Sequence, residues 1–153
     1  MELENKHKIN LFENFISKEE CIKYLNIIPN VSCEETDWEK RTIDITNDPI
    51  VEKTRSFLKK ELNLNLKINQ AQGQNWNVGS FSDLHIHTLR PLTPYTSSLY
   101  LNDNFDGGEF YTLEYTIKPK PGLLTFFNGH KVLHGVKKVY NNDRKTLIFW
   151  WTL

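Results

Sequence analysis

Two stretches in the first half of the chain repeat their apolar residues with helical spacing. Ser17 with Glu20 makes a capping box, apolar residues recur at Cys21, Leu25 and Ile28, and Pro29 stops the run. Asp48-Pro49 supplies a cap followed by proline at the first helical position. Ile50, Thr54, Phe57, Leu58 and Leu62 then mark one face of a second helix.

After residue 63 the texture changes to short strands. LKINQAQGQNWNV alternates, LHIHTL is short and apolar around its histidines, and YTSSLYL is rich in β formers. Asp106-Gly107-Gly108 makes a turn into GEFYTL, and Lys118–Gly122, with two prolines, makes another into GLLTFF. KVLHGVKKV and KTLIFWWTL follow, separated by the turn Asn141-Asn142-Asp143. About eight strands at regular spacing predict a sandwich or jelly roll. The fold class is therefore an all-β core with flanking helices (α+β), its two main N-terminal helices packed outside one sheet. No linker, repeat or low-complexity stretch divides the chain, so residues 1–153 read as a single domain.

Composition narrows the function classes. Lys+Arg and Asp+Glu are both 19, and this balance disfavours a dedicated nucleic-acid binder, whose affinity needs many basic contacts to phosphate. Residues 110–153 are locally basic, with seven Lys/Arg against Glu114 and Asp143. MELENKHKIN has no apolar core of signal-peptide length and no window could span a bilayer, so neither export nor a membrane partner is expected. Cys21 and Cys33 form no metal or disulfide pattern, and Cys21 falls on the apolar helix face as a buried thiol. A reduced, cytoplasmic protein is the expectation.

The candidate chemistry centres on His85-Ile86-His87. Side chains at i and i+2 of a strand share one face, and Asp83 continues the row. His134 lies in a late strand that a jelly roll can return to the same cavity, so three imidazoles from two strands make a candidate transition-metal site. Surface or core histidines held by hydrogen bonds are the alternative for each. His130 is assigned to a loop, and His7 to the surface.

An ordered series of motifs supports the metal reading. Trp76-Asn77-Val78-Gly79 precedes His85, Tyr100-Leu101-Asn102 precedes Gly107-Gly108-Glu109, and Pro121-Gly122-Leu123-Leu124-Thr125-Phe126 follows. His134-Gly135-Val136 then leads to Asp143-Arg144 and TLIFWW, while INLFENFISKEECIKYL opens the chain. Together these resemble the prolyl 4-hydroxylase branch of the iron- and 2-oxoglutarate-dependent oxygenases over nearly the whole chain. The resemblance implies a double-stranded β-helix and hydroxylation of a substrate C–H, with Fe(II) as cofactor, 2-oxoglutarate as co-substrate and O2 as oxidant. It points to a prolyl residue in a peptide or to a small amino-acid-like substrate. By position, His85 and His134 would be metal ligands. Arg144 would clasp the distal carboxylate of 2-oxoglutarate, where a guanidinium gives a bidentate, permanently charged grip. Lys145 is an alternative on the opposite strand face. Tyr100 would hydrogen-bond the same carboxylate, and Trp76 would stand near the cavity mouth as a wall or a substrate contact; core packing is the alternative for both.

The sequence departs from that family where H-x-D is expected: His87 stands in place of the carboxylate. A neutral nitrogen raises the site charge by one, and an all-nitrogen face shifts preference from iron towards copper, nickel or zinc. Asp83 could supply the missing carboxylate or orient an imidazole from outside the ligand shell, and the second role fits the strand register better. Two other classes compete with the oxygenase. A cupin-like three-histidine metalloenzyme without 2-oxoglutarate fits Gly79 and the H-x-H pair, but Pro91 and Leu92 stand where its glutamate belongs. A non-catalytic metal- or ligand-binding relative is the other, and retention of Arg144 argues against it.

Overall fold

The computed structural model describes residues 8–88 and 90–153; His7 lies outside them. In chain order the elements are β1 (Asn10–Phe12), α1 (Lys18–Leu25), a 3-10 turn (Trp38–Arg41), β2 (Thr42–Asp44), α2 (Pro49–Leu62), β3 (Lys67–Trp76) and β4 (Ser82–His85). Then follow β5 (Tyr95–Tyr100), β6 (Asp106–Gly107), β7 (Phe110–Tyr111), β8 (Thr116–Ile117), β9 (Leu124–Asn128), β10 (His134–Val136), β11 (Val139–Tyr140) and β12 (Arg144–Thr152).

Both helix starts follow their sequence signals. Ser17 and Glu20 close a reciprocal capping box on α1. Asp48 accepts from the Ile50 N–H at the start of α2 and also takes the Tyr24 hydroxyl at 2.7 Å, tying the two helices together. α1 ends at Leu25, so Ile28 is buried from the turn after the helix and not from its face.

The strands divide between a six-stranded sheet, ordered β1-β9-β5-β12-β3-β2, and a four-stranded sheet, ordered β4-β10-β7-β8, with β6 and β11 paired separately. After residue 63 the described residues therefore hold ten strands where about eight were expected. Several of the extra ones are only two residues long, fixed by pairing with strands distant in sequence and too short to carry an alternating pattern. LHIHTL is a further difference: β4 ends at His85, and the chain leaves the sheet before His87.

Period-two alternation along β12 explains the layering. Leu147, Phe149 and Trp151 face outward into one core with Cys21, Tyr24, Ile50 and Leu58 of the helices. Arg144, Ile148 and Trp150 face inward to a cavity between the sheets. β3 obeys the same rule, with Gln72, Gln74 and Trp76 turned inward and Ala71 outward. A smaller apolar cluster that includes Tyr100, Phe110 and Phe127 packs beside the cavity.

Candidate metal centre

The two sheets enclose a cavity of about 310 Å³. His85 in β4 and His134 in β10 are direct cross-strand partners, so the pairing itself sets their rings 4.5 Å apart, centroid to centroid. His87 reaches the same point from beyond the end of β4. Its N–H donates to the Gly129 carbonyl at 2.8 Å, and its ring lies 4.6 Å from that of His134. A side chain at Gly129 would collide with the His87 imidazole, which is why the position carries none. One nitrogen from each of the three rings lies within 4.8 Å of the others, a spacing that could hold one metal ion.

Neighbouring carbonyls orient two of the rings. Nδ1 of His134 lies 2.7 Å from the Val132 carbonyl, and Nδ1 of His85 lies 2.8 Å from the Asp83 carbonyl. A carbonyl only accepts, so each Nδ1 carries the proton and each Nε2 keeps a lone pair for a metal. Burial holds His134 well below the ordinary imidazole range, at about 4, with His85 adding to the effect and the Val132 carbonyl opposing it. His87 is pushed lower, to about 3, first by burial and then by the charges of His134, His85, His130 and Arg90. At neutral pH both rings are therefore uncharged and open to a cation.

Asp83 has an exposed side chain outside the three-ligand group. It acts on His85 through its main-chain carbonyl and not through the carboxylate, so the sequence pattern marked the right position with the wrong atom. His130 also lies outside the group, its Nε2 2.7 Å from the Arg90 carbonyl.

Arg144 opens the inner face of β12 and is 3% exposed. Its Nε donates to the Gly108 carbonyl at 2.8 Å, and its guanidinium lies over the rings of Tyr100 (5.1 Å) and Trp76 (5.6 Å). Gly108, at φ +68, lets the loop close on this side chain; a Cβ there would stand 3.1 Å from the Arg144 Cδ. The described ion pairs join Lys40 to Glu35, Lys53 to Glu20, Arg55 to Glu52 and Lys120 to Glu13, and none involves Arg144. Glu109 acts on this guanidinium only through space, and a buried cation without a direct ion pair is costly, so the position is suited to an anion. Beside it the Tyr100 hydroxyl is buried close to the guanidinium with no well-aligned hydrogen bond among the described residues; burial raises its pKa and the Arg144 charge opposes the rise. Lys145 points to the other face and donates to Asn30, away from the cavity.

Trp76 lines the cavity, its Nε1 donating to Gln74 at 3.1 Å. Trp38, which the sequence reading did not single out, meets Trp76 edge-to-face at 5.7 Å, and both also line a shallow groove outside. The only local signal for Trp38 is Asp37 as the cap of its 3-10 turn.

The sequence model described as the 2OG-Fe(II) oxygenase superfamily matches residues 71–152, more than half of the chain. The chain belongs to this superfamily. Membership implies Fe(II) and 2-oxoglutarate, and the residues present fit both: three nitrogen donors converge on one point, and a buried guanidinium with no direct ion pair sits beside a buried hydroxyl. Among curated relatives, mouse (Mus musculus) prolyl 3-hydroxylase 2 is 42% identical over 67 residues, covering 39% of this chain and 10% of that protein. The matched segment is thus about a tenth of that relative's length. Among solved structures, the viral collagen prolyl hydroxylase of Paramecium Bursaria Chlorella virus-1, as its 2OG complex, superposes with a TM-score of 0.75 at 19% identity over 98% of each chain. A Trichoplax adhaerens prolyl hydroxylase, solved with a hypoxia inducible factor peptide fragment, gives 0.70 at 19% identity over 97% of this chain and 84% of that one. These likenesses establish the double-stranded β-helix of the oxygenase fold.

Proposed function

We propose that this chain is an iron- and 2-oxoglutarate-dependent hydroxylase acting on a prolyl residue or a prolyl-like amino acid. The observation that carries the reading is Arg144, a buried cation without a carboxylate partner, in the same 310 Å³ cavity as three converging imidazoles. A structural zinc site would need no such anion seat. The prolyl hydroxylase relatives and structural neighbours support the substrate class.

Bound iron with 2-oxoglutarate supplies O2 activation, and the balance is substrate C–H, O2 and 2-oxoglutarate to substrate C–OH, succinate and CO2. His85, His87 and His134 would hold the metal as neutral imidazoles. Arg144 clasps the distal carboxylate of the co-substrate, and the Tyr100 hydroxyl donates a hydrogen bond to it. Phe110 and Phe127 flank His134 at 5.6 and 4.8 Å and keep water from that side. Because these residues bring no carboxylate, a metal held by them would keep more positive charge and would attract a dianionic co-substrate more strongly.

The test is an anaerobic titration of metal-free protein with Fe(II) and then 2-oxoglutarate, followed by the visible metal-to-ligand charge-transfer band. The band is expected in the wild type and lost in Arg144→Ala, which still binds metal. Iron binding without the band in the wild type, or equal loss of metal and co-substrate in the variant, overturns the assignment.

A further inference from the structure

The cavity wall carries charge of one sign only. Arg90 and Arg144 both line it with the three imidazoles, and none of its described lining residues is Asp or Glu. A divalent metal and two guanidinium groups, set against a doubly negative co-substrate, leave the filled cavity positive.

Arg90 is the cation without an assigned use. Its guanidinium stacks over the Trp150 ring at 3.7 Å, and Nη2 donates to Gln70 at 3.0 Å, the one hydrogen bond it makes among the described residues. Both partners are neutral, so they hold the plane of the group and leave its charge free. Its backbone is fixed as well, because the Arg90 carbonyl meets His130 Nε2 at 2.7 Å and the Thr93 N–H at 3.2 Å.

Arg144 and Trp150 are six residues apart on the inner face of β12, about 20 Å along a strand. A five-carbon co-substrate clasped at Arg144 does not span that distance. The metal group reaches the Trp150 end of the strand: His87 bonds Thr96, and Thr96 is the cross-strand partner of Trp150. Arg90, stacked on Trp150, therefore stands beside His87 at the end of the strand away from the co-substrate seat.

Resting on the hydroxylase reading above, we propose that Arg90 is a specificity-determining residue that grips a carboxylate of the hydroxylated substrate. That carboxylate is either the α-carboxylate of a free or C-terminal prolyl residue, or an acidic side chain next to the prolyl residue in a peptide. A guanidinium held flat on an aromatic ring presents its remaining N–H groups as a fork, which suits either source.

Calorimetric titration of the protein loaded with zinc and 2-oxoglutarate, which cannot turn over, tests this. N-acetyl-L-proline against its amide reads the α-carboxylate, and acetyl-Pro-Glu-amide against acetyl-Pro-Gln-amide reads the side chain. In one arm the charged probe should bind about tenfold tighter than its neutral partner. The preference should vanish in Arg90→Gln and survive in part in Arg90→Lys, with 2-oxoglutarate affinity and Tm unchanged in both. Equal binding within both pairs, no binding of any charged probe, or a preference that persists in Arg90→Gln overturns the assignment. If Arg90→Gln does not fold, the wild-type pairs and Arg90→Lys still decide. Failure of 2-oxoglutarate itself to bind overturns the oxygenase reading instead, and the same titrations on zinc-loaded protein still read Arg90.

Discussion

Nε2 of His87 lies 3.0 Å from Nε2 of His134. The His134 ring already gives its Nδ1 proton to the Val132 carbonyl, so its Nε2 accepts and that of His87 donates. His87 Nδ1 must then accept from the Thr96 hydroxyl, 3.2 Å away. A metal that takes Nε2 of both rings reverses this: His87 moves its proton to Nδ1 and donates to Thr96, whose hydroxyl can serve either way.

Two imidazoles buried as neutral groups make the metal-free fold acid-sensitive. The unfolded chain takes up protons near pH 6.5, while folded His134 and His87 resist until about 4 and about 3. Their contribution is intact above pH 6.5 and falls away as pH drops towards 4, because protons bind the unfolded state preferentially. Glu52, held at about 2 by Arg55 and Ser56, adds its own loss only below its ordinary 4.5, a separable window. Calorimetric Tm values in chelator should fall between pH 6.5 and 4.5, with a flatter slope in His134→Asn. Equal slopes in the two proteins would remove the histidines as the cause.

His87→Asp restores the carboxylate that the related motif carries at this position. The site loses one unit of positive charge and gains a hard oxygen donor, so iron should compete better against zinc, nickel and copper. Metal content after equilibration in an equimolar mixture measures the shift, expected to be about tenfold in favour of iron. An unchanged metal ratio would mean that His87 is not a ligand.

Local signals in the sequence carried the helices and the order of the site residues. Capping at Ser17 and Asp48 acts within a few residues, and the inward row of β12 follows from alternation alone. Where long-range pairing decides, the sequence was silent. His87 converges through its bond to Gly129, 42 positions away, and not through strand alternation, so the three rings meet by a different route from the one the sequence suggested. Arg90 went without a reading, because its stack on Trp150 joins segments 60 residues apart. Trp38 was missed for the same reason, since its partner Trp76 lies on another element.

Asn102 braces the start of β12 from the end of β5. Its Nδ2 donates to the Asp143 carbonyl at 2.8 Å, and its Oδ1 accepts the Lys145 N–H at 2.9 Å, so both neighbours of Arg144 are tied to one side chain. Asn102→Ala removes two partly buried hydrogen bonds and should cost about 1–3 kcal/mol by denaturant unfolding. Co-substrate affinity should fall as well, because Arg144 loses the brace on both sides. Stability lost with 2-oxoglutarate affinity intact would show that strand pairing alone places Arg144.

Tyr100→Phe separates fold from function at a single atom. The hydroxyl is buried beside Arg144 without a well-aligned hydrogen bond, so the fold gains little from it, and its removal should leave Tm nearly unchanged. The bound co-substrate is different, because its distal carboxylate gives that hydroxyl the acceptor it lacks. Loss of one hydrogen bond to a charged group amounts to about 1.5–3 kcal/mol, so 2-oxoglutarate should bind roughly 10- to 100-fold more weakly with metal affinity unchanged. Calorimetric titration of both proteins, metal first and co-substrate second, reads the two quantities separately. If affinity stays the same while Tm falls, the hydroxyl serves packing and the carboxylate is held by Arg144 alone.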